Sequence, residues 1–209
     1  MEWLFIIIIL IFSVVLHEVS HGVMANYLGD PTAKDQGRLT LNPIYHLDLF
    51  GSIILPLFMV IMSRLANTQT IIFGWAKPVP INPYNFRDQK YGAAKVAIAG
   101  PLSNFSLALV FGLSLRFLPV ALISPNLVYL FSYIVYINII LGVFNLVPIP
   151  PLDGSHILFT FLPKGMEKLK IFIYQYGIFI LLFIIFFFFN WIAVLANLIF
   201  RLIAGFSLL

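Results

Sequence analysis

The chain has 209 residues, 61% of them hydrophobic and 10% charged, with a mean hydropathy of +1.02. Soluble domains run about 45–50% apolar and about 25% charged, so a soluble enzyme and a disordered tail are excluded. The absence of cysteine excludes a disulfide scaffold, thiolate zinc sites, iron–sulfur clusters and thiol nucleophiles. The net charge of +4 reads as the cytoplasmic loops of an integral membrane protein, not as a nucleic-acid surface.

Residues 3–28 form the first apolar stretch, interrupted by His17, Glu18 and His21. No small-residue cleavage site follows the run Ile6–Ile11, so this is a retained helix and not a signal peptide. Segments 36–49 and 70–86 are rich in Gly, Pro, Asn and β-branched residues and read as short extended or turn structure. Between them lies Gly51–Arg64. Its apolar core, Ile53–Met62, is ten residues long and contains Pro56. That length fits a re-entrant or interfacial segment better than a span. Residues 92–117 and 127–147 each reach the length that crossing requires. The tail 171–209 is long enough for two spans with a break near Asn190–Trp191. The expected fold is an all-α polytopic membrane protein with about five transmembrane helices. It forms one membrane domain over 1–209, with a catalytic core at about 1–160 and C-terminal helices at 171–209.

Lysine and arginine orient the chain. Residues 29–91 carry Lys34, Arg38, Arg64, Lys77, Arg87 and Lys90, and the connection 163–170 carries Lys164, Lys168 and Lys170. The stretch before the first helix and the 118–126 connection carry none. Cytoplasmic loops hold the excess, which puts the amino terminus outside the cell membrane and 29–91 inside. This orientation requires that Gly51–Arg64 makes no net crossing.

His17-Glu18-Val19-Ser20-His21 is an H-E-x-x-H motif. On a helix the two histidines sit about 40° apart, one turn from each other, so both imidazoles can reach one tetrahedral zinc. Glu18 lies beside them, able to take a proton from a zinc-activated water. Chance placement gives this motif in about one chain in a thousand of this composition. Ionisable residues inside a span cost ~2.5–3.5 kcal/mol each, so the cluster carries a function.

A hydrolytic zinc takes three protein ligands. The candidates for the third are His46, Asp48, Asp153 and His156. Asp153 follows Asn145-Leu-Val-Pro-Ile-Pro-Pro-Leu, where Pro148, Pro150 and Pro151 cannot continue a helix. Irregular backbone at membrane depth is tolerated where it lines a protein cavity. Counted from the outer face, His17 is about 21 Å and Asn145 about 24 Å deep. Both lie in the cytoplasmic third. His156, three residues after Asp153, stays open on this evidence.

HEVSHG followed by NLVPIPPLDG resembles the site-2 protease family of intramembrane zinc metalloproteases. Leu41–Gly51 (LNPIYHLDLFG), Gly74–Pro83 (GWAKPVPINP) and Ala99–Asn104 (AGPLSN) are similar to compact members of that family. The resemblance covers about residues 12–160. It implies one zinc per chain, held by His17, His21 and Asp153, with Glu18 as general base. It implies that Asn145 binds the substrate carbonyl or stabilises the oxyanion, and that a membrane-associated β element lies near the site. Segment 74–83 would then hold unwound substrate as an edge strand. Asn104 reads as core packing, with a hydrogen bond across the core as the alternative, His46 and His156 as structural polar contacts, and Asp48 as a turn or cap. The chain has no room for the PDZ or CBS modules of many members.

The implied activity is peptide-bond hydrolysis in transmembrane substrates, with membrane lipid as surroundings and no nucleic-acid partner. The alternative is a non-enzymatic transporter or scaffold carrying a metal-binding or vestigial motif.

Overall fold

The computed structural model describes residues 2–65, 75–118 and 124–206. The helices are α1 (Glu2–Tyr27), α2 (Thr32–Asp35), α3 (Leu55–Leu65), α4 (Gly92–Phe117), α5 (Pro125–Asn145), α6 (Asp153–Phe161) and α7 (Glu167–Ala204). No strand occurs among the described residues. Among the described residues, four helical stretches are long and apolar enough to cross a bilayer: Phe5–Tyr27, Gly92–Phe117, Pro125–Asn145 and Glu167–Phe188.

α4 is the central helix and packs against α1, α5, α6 and α7. Its core joins Ala108 and Leu115 to Val135 and Ile139 of α5 and to Ala196, Phe200 and Ala204 of α7. Lipid is as apolar as leucine, so helices in a membrane associate through close packing, which small residues permit. Gly112 shows this: a Cβ there would stand 2.5 Å from Ile203 Cγ2. The outward faces carry large apolar side chains, among them Phe179, Phe183, Phe186 and Phe187, as a lipid-facing surface requires.

The tail differs from expectation. α7 runs unbroken through Asn190 and Trp191 for 38 residues, about 57 Å at 1.5 Å per residue. One asparagine costs a helix only a fraction of a kcal/mol (~0.7 at most), and no Pro or Gly lies between 178 and 204. The helix stops at Gly205, whose φ of 86° closes the C-terminus in the left-handed region.

Residues 29–91 are a closed excursion. The Arg87 N–H donates to Leu28 O at 2.8 Å, so the chain returns to the end of α1. A smaller excursion is nested within it. Trp75 N–H donates to Gly51 O at 3.2 Å, Ser52 Oγ donates to Trp75 O at 2.7 Å, and Lys77 N–H donates to His46 O at 2.8 Å. A Cβ on Gly51 would overlap the Trp75 indole. The chain that leaves at Gly51 through α3 therefore comes back to the same place. α3 keeps Leu57, Phe58, Ile61 and Leu65 exposed, which fits a re-entrant or interfacial segment.

The expected β element is absent among the described residues. Residues 75–82 run without helix or ladder, and Gly74 lies outside the described chain. The reason is in the donors. The N–H groups of Trp75 and Lys77 go to the carbonyls of Gly51 and His46, and Pro78 and Pro80 have none to give.

This topology has a direct test. Single cysteines at positions 34 and 87, in a chain with no native cysteine, should both be protected from an impermeant thiol reagent applied to intact cells. Labelling of position 87 alone would mean that the excursion crosses the membrane.

Candidate metal centre

His17, Glu18 and His21 project from the second half of α1. Asp153 opens α6 after an irregular run from Leu146 to Leu152, with a cis bond between Pro150 and Pro151. His17 Nε2 and His21 Nε2 stand 3.1 Å apart. Asp153 Oδ2 is 3.1 Å from the first and 3.3 Å from the second. Both histidines are buried.

The hydrogen bonds assign the tautomers. Asn138 Nδ2 donates to Ile134 O at 2.8 Å. A backbone carbonyl only accepts, so Asn138 turns its own oxygen to Asn104 Nδ2, 2.9 Å away. Asn104 Oδ1 then faces His17 Nδ1 at 2.7 Å, and that nitrogen must carry the proton. His21 Nδ1 likewise donates to Val96 O at 2.7 Å. In its neutral form each ring then has its lone pair on Nε2, aimed at the point Asp153 Oδ2 also faces. The three atoms form a nearly equilateral triangle. Ligands at ~2.0–2.1 Å around a tetrahedral zinc stand about 3.3 Å from one another, so the side chains present fit this ion. Convergent lone pairs with Asp153 Oδ2 lacking any hydrogen bond are what a shared cation stabilises.

Two glycines make room for this triangle, and a third, Gly22, lets residues 39 and 79 pack against α1. A Cβ on Gly100 of α4 would overlap the rings of both His17 and His21. One on Gly154 would overlap the carbonyls of Leu146 and Val147, which lets the broken end of α5 fold tightly onto α6. One on Gly22 would stand 2.6 Å from Leu39 Cδ2 and 2.9 Å from Val79 Cγ1.

Glu18 lies beside the triangle and accepts the Val79 N–H on Oε2 at 2.9 Å. Asn145 ends α5 and donates to Leu141 O at 3.0 Å, a bond back along its own helix. The other polar residues stand apart from the cluster. His46 is buried with Nε2 on Thr40 O at 2.8 Å. Asp48 accepts from Gly51 N–H at 2.7 Å and caps the turn leading into α3. His156 is exposed on α6.

Asn104 is not simple packing: it orients His17, with Asn138 and Ser13 behind it. Asn138 Nδ2 also meets Ser13 Oγ at 2.9 Å. The signal was available, because an asparagine in the middle of an apolar span needs a partner, and Ser13 precedes His17 by one helical turn. Below the centre, Asp30 is fully buried. It accepts from Asn82 N–H at 2.7 Å and from Asn85 Nδ2 at 2.8 Å. Burial pushes its carboxyl up, but hydrogen bonds from Thr32, Asn82 and Asn85 outweigh this and hold it below the ordinary carboxylate range.

The chain is similar to several known proteins. The profile of Peptidase family M50 matches residues 117–187, the stretch that contains Asp153. YwhC of Bacillus subtilis, named as a zinc metalloprotease, is 36% identical across 86% of this chain and 80% of its own length. A zinc metalloprotease of Methanocaldococcus jannaschii is 27% identical across 80% of this chain and 37% of its own. Protease RseP of Photorhabdus luminescens is 38% identical across 28% of each chain. No solved structure matches.

Proposed function

The chain belongs to Peptidase family M50, the site-2 protease family, and is a zinc metalloprotease of multi-pass membrane type; from that premise we propose that it cleaves transmembrane segments of other proteins at a single zinc site per chain. The observation that carries this reading is the convergence of His17 Nε2 and His21 Nε2, on a helix long enough to span a bilayer, with Asp153 Oδ2 at the start of α6.

His17, His21 and Asp153 would hold the zinc. When bound, the ion supplies a Lewis acid that polarises the scissile carbonyl and makes a water ligand acidic. Glu18 acts as general base. Its Oε2 is occupied by the Val79 N–H, so Oε1 takes the proton of the attacking water and returns it to the leaving amine nitrogen. Asn145 has a second amide N–H besides the one bonded to Leu141 O. That donor is suited to the scissile carbonyl oxygen as its charge develops. The substrate must be unwound, because a helix hides its peptide bonds. Pairing along residues 75–82 would rely on the carbonyls that Ser52 and Arg38 do not already engage, since Pro78 and Pro80 have no N–H.

In this reading the amino terminus is outside and the centre lies toward the cytoplasmic face, as the loop charges require. Transmembrane proteins are the substrates and lipid surrounds the catalytic helices. Purified protein in liposomes should cut a co-reconstituted transmembrane peptide, lose that activity on chelation and regain it with one equivalent of zinc. Cleavage undiminished in metal-free protein would refute the reading.

A further inference from the structure

Glu18 is held by a backbone amide, in a stretch of chain whose composition singles out that amide. We propose that the Val79 N–H is a positioning group for Glu18, presented by the strap Trp75–Asn82. This rests on the reading of Glu18 as the base.

The donor–acceptor distance is 2.9 Å. Val79 lies between Pro78 and Pro80. Neither proline has an N–H, so Val79 carries the one donor in this tripeptide. A residue before proline is driven into extended conformation, which applies to both Lys77 and Val79. The local sequence therefore stiffens the strap and leaves one N–H to point inward.

Both flanks of the strap are tied down. Upstream, Lys77 N–H donates to His46 O, and buried Arg38 reaches Lys77 O at 3.0 Å and Pro78 O at 3.3 Å. Downstream, Asn82 N–H donates to buried Asp30 at 2.7 Å. In the middle the Val79 side chain is 5% exposed and lies against Gly22, one helical turn beyond Glu18. The glycine that follows His21 thus gives the strap room to lie along the face of α1 that bears the carboxylate.

A carboxylate with one oxygen tied to a fixed amide presents the other at a fixed place. A glutamate in water samples several rotamers, and a displacement of about 1 Å costs about 10²-fold in rate. Anchoring the strap from α1, from the His46 turn and from the Asp30 loop makes the placement independent of the substrate.

The test replaces the Val79 amide by an ester in the full-length, zinc-loaded protein, by incorporating the α-hydroxy analogue of valine. This removes the donor and keeps the side chain. The expected result is a fall in kcat of about 10- to 100-fold, with KM and zinc content unchanged. The same replacement at Lys77 removes the bond to His46 O and should lower thermal stability with a smaller effect on kcat. Full kcat in the position 79 ester, equal kcat losses at 77 and 79, or loss of zinc along with kcat would each overturn the proposal. Glu18→Gln is measured alongside. An active Glu18→Gln protein defeats the reading of the base itself, and this proposal with it. An inactive one beside a fully active position 79 ester defeats the positioning role alone.

Discussion

Glu18→Gln should lower cleavage of a transmembrane substrate by 10²–10⁴-fold or more while zinc content stays at the wild-type level. Loss of a general base costs that much on its own, about 3–5 kcal/mol in the barrier. The substitution is close to isosteric, and the glutamine carbonyl can still accept the Val79 N–H that holds Glu18 at 2.9 Å. Position is kept and only proton transfer is lost. The metal should remain because the converging ligand atoms belong to His17, His21 and Asp153. The measurement is kcat/KM together with zinc per protein for both forms. Wild-type turnover by the variant would remove Glu18 from the mechanism. Parallel loss of zinc would show that it acts through the metal site.

The parts of this molecule that are written locally were legible in its sequence. An apolar run bounded by polar residues announces a span, and the expected 92–117 is α4 itself (Gly92–Phe117). The 127–147 span is shifted by two residues because Pro125 sits at the first helical turn and the chain unwinds after Asn145. The H-E-x-x-H spacing fixes two imidazoles on one face whatever the rest of the fold does. The prolines before Asp153 force a break that has to be buried in protein, which left Asp153 and His156 both open; the choice of Asp153 rested on the family resemblance. What escaped was non-local. No pattern in residues 75–82 says that the Val79 amide meets a carboxylate 61 positions earlier. Asn104 reads as packing until Asn138, 34 residues on, fixes its orientation. The β element expected near the site does not occur among the described residues, because strand composition does not say whether a partner strand exists. The continuity of α7 was missed because Asn190 and Trp191 look like a boundary, whereas a helix with apolar neighbours on both sides tolerates them.

Asp153→Ala should abolish activity by removing the metal. Imidazole binds a metal in its neutral form, so Asp153 is the one anionic ligand among the three and offsets part of a dication's charge where water cannot. Its Oδ2 lies 3.1 Å and 3.3 Å from the two Nε2 atoms, and alanine leaves that corner of the triangle empty. The rival histidines are accounted for elsewhere. His46 is buried and tied to Thr40 O, and His156 lies exposed on α6. The decisive measurement is the zinc-to-protein ratio of purified Asp153→Ala, His46→Ala and His156→Ala after identical exposure to chelator. A ratio far below wild type in Asp153→Ala, with wild-type ratios in the two histidine variants, is the predicted result. Full zinc in Asp153→Ala with loss of zinc in His156→Ala would contradict the assignment.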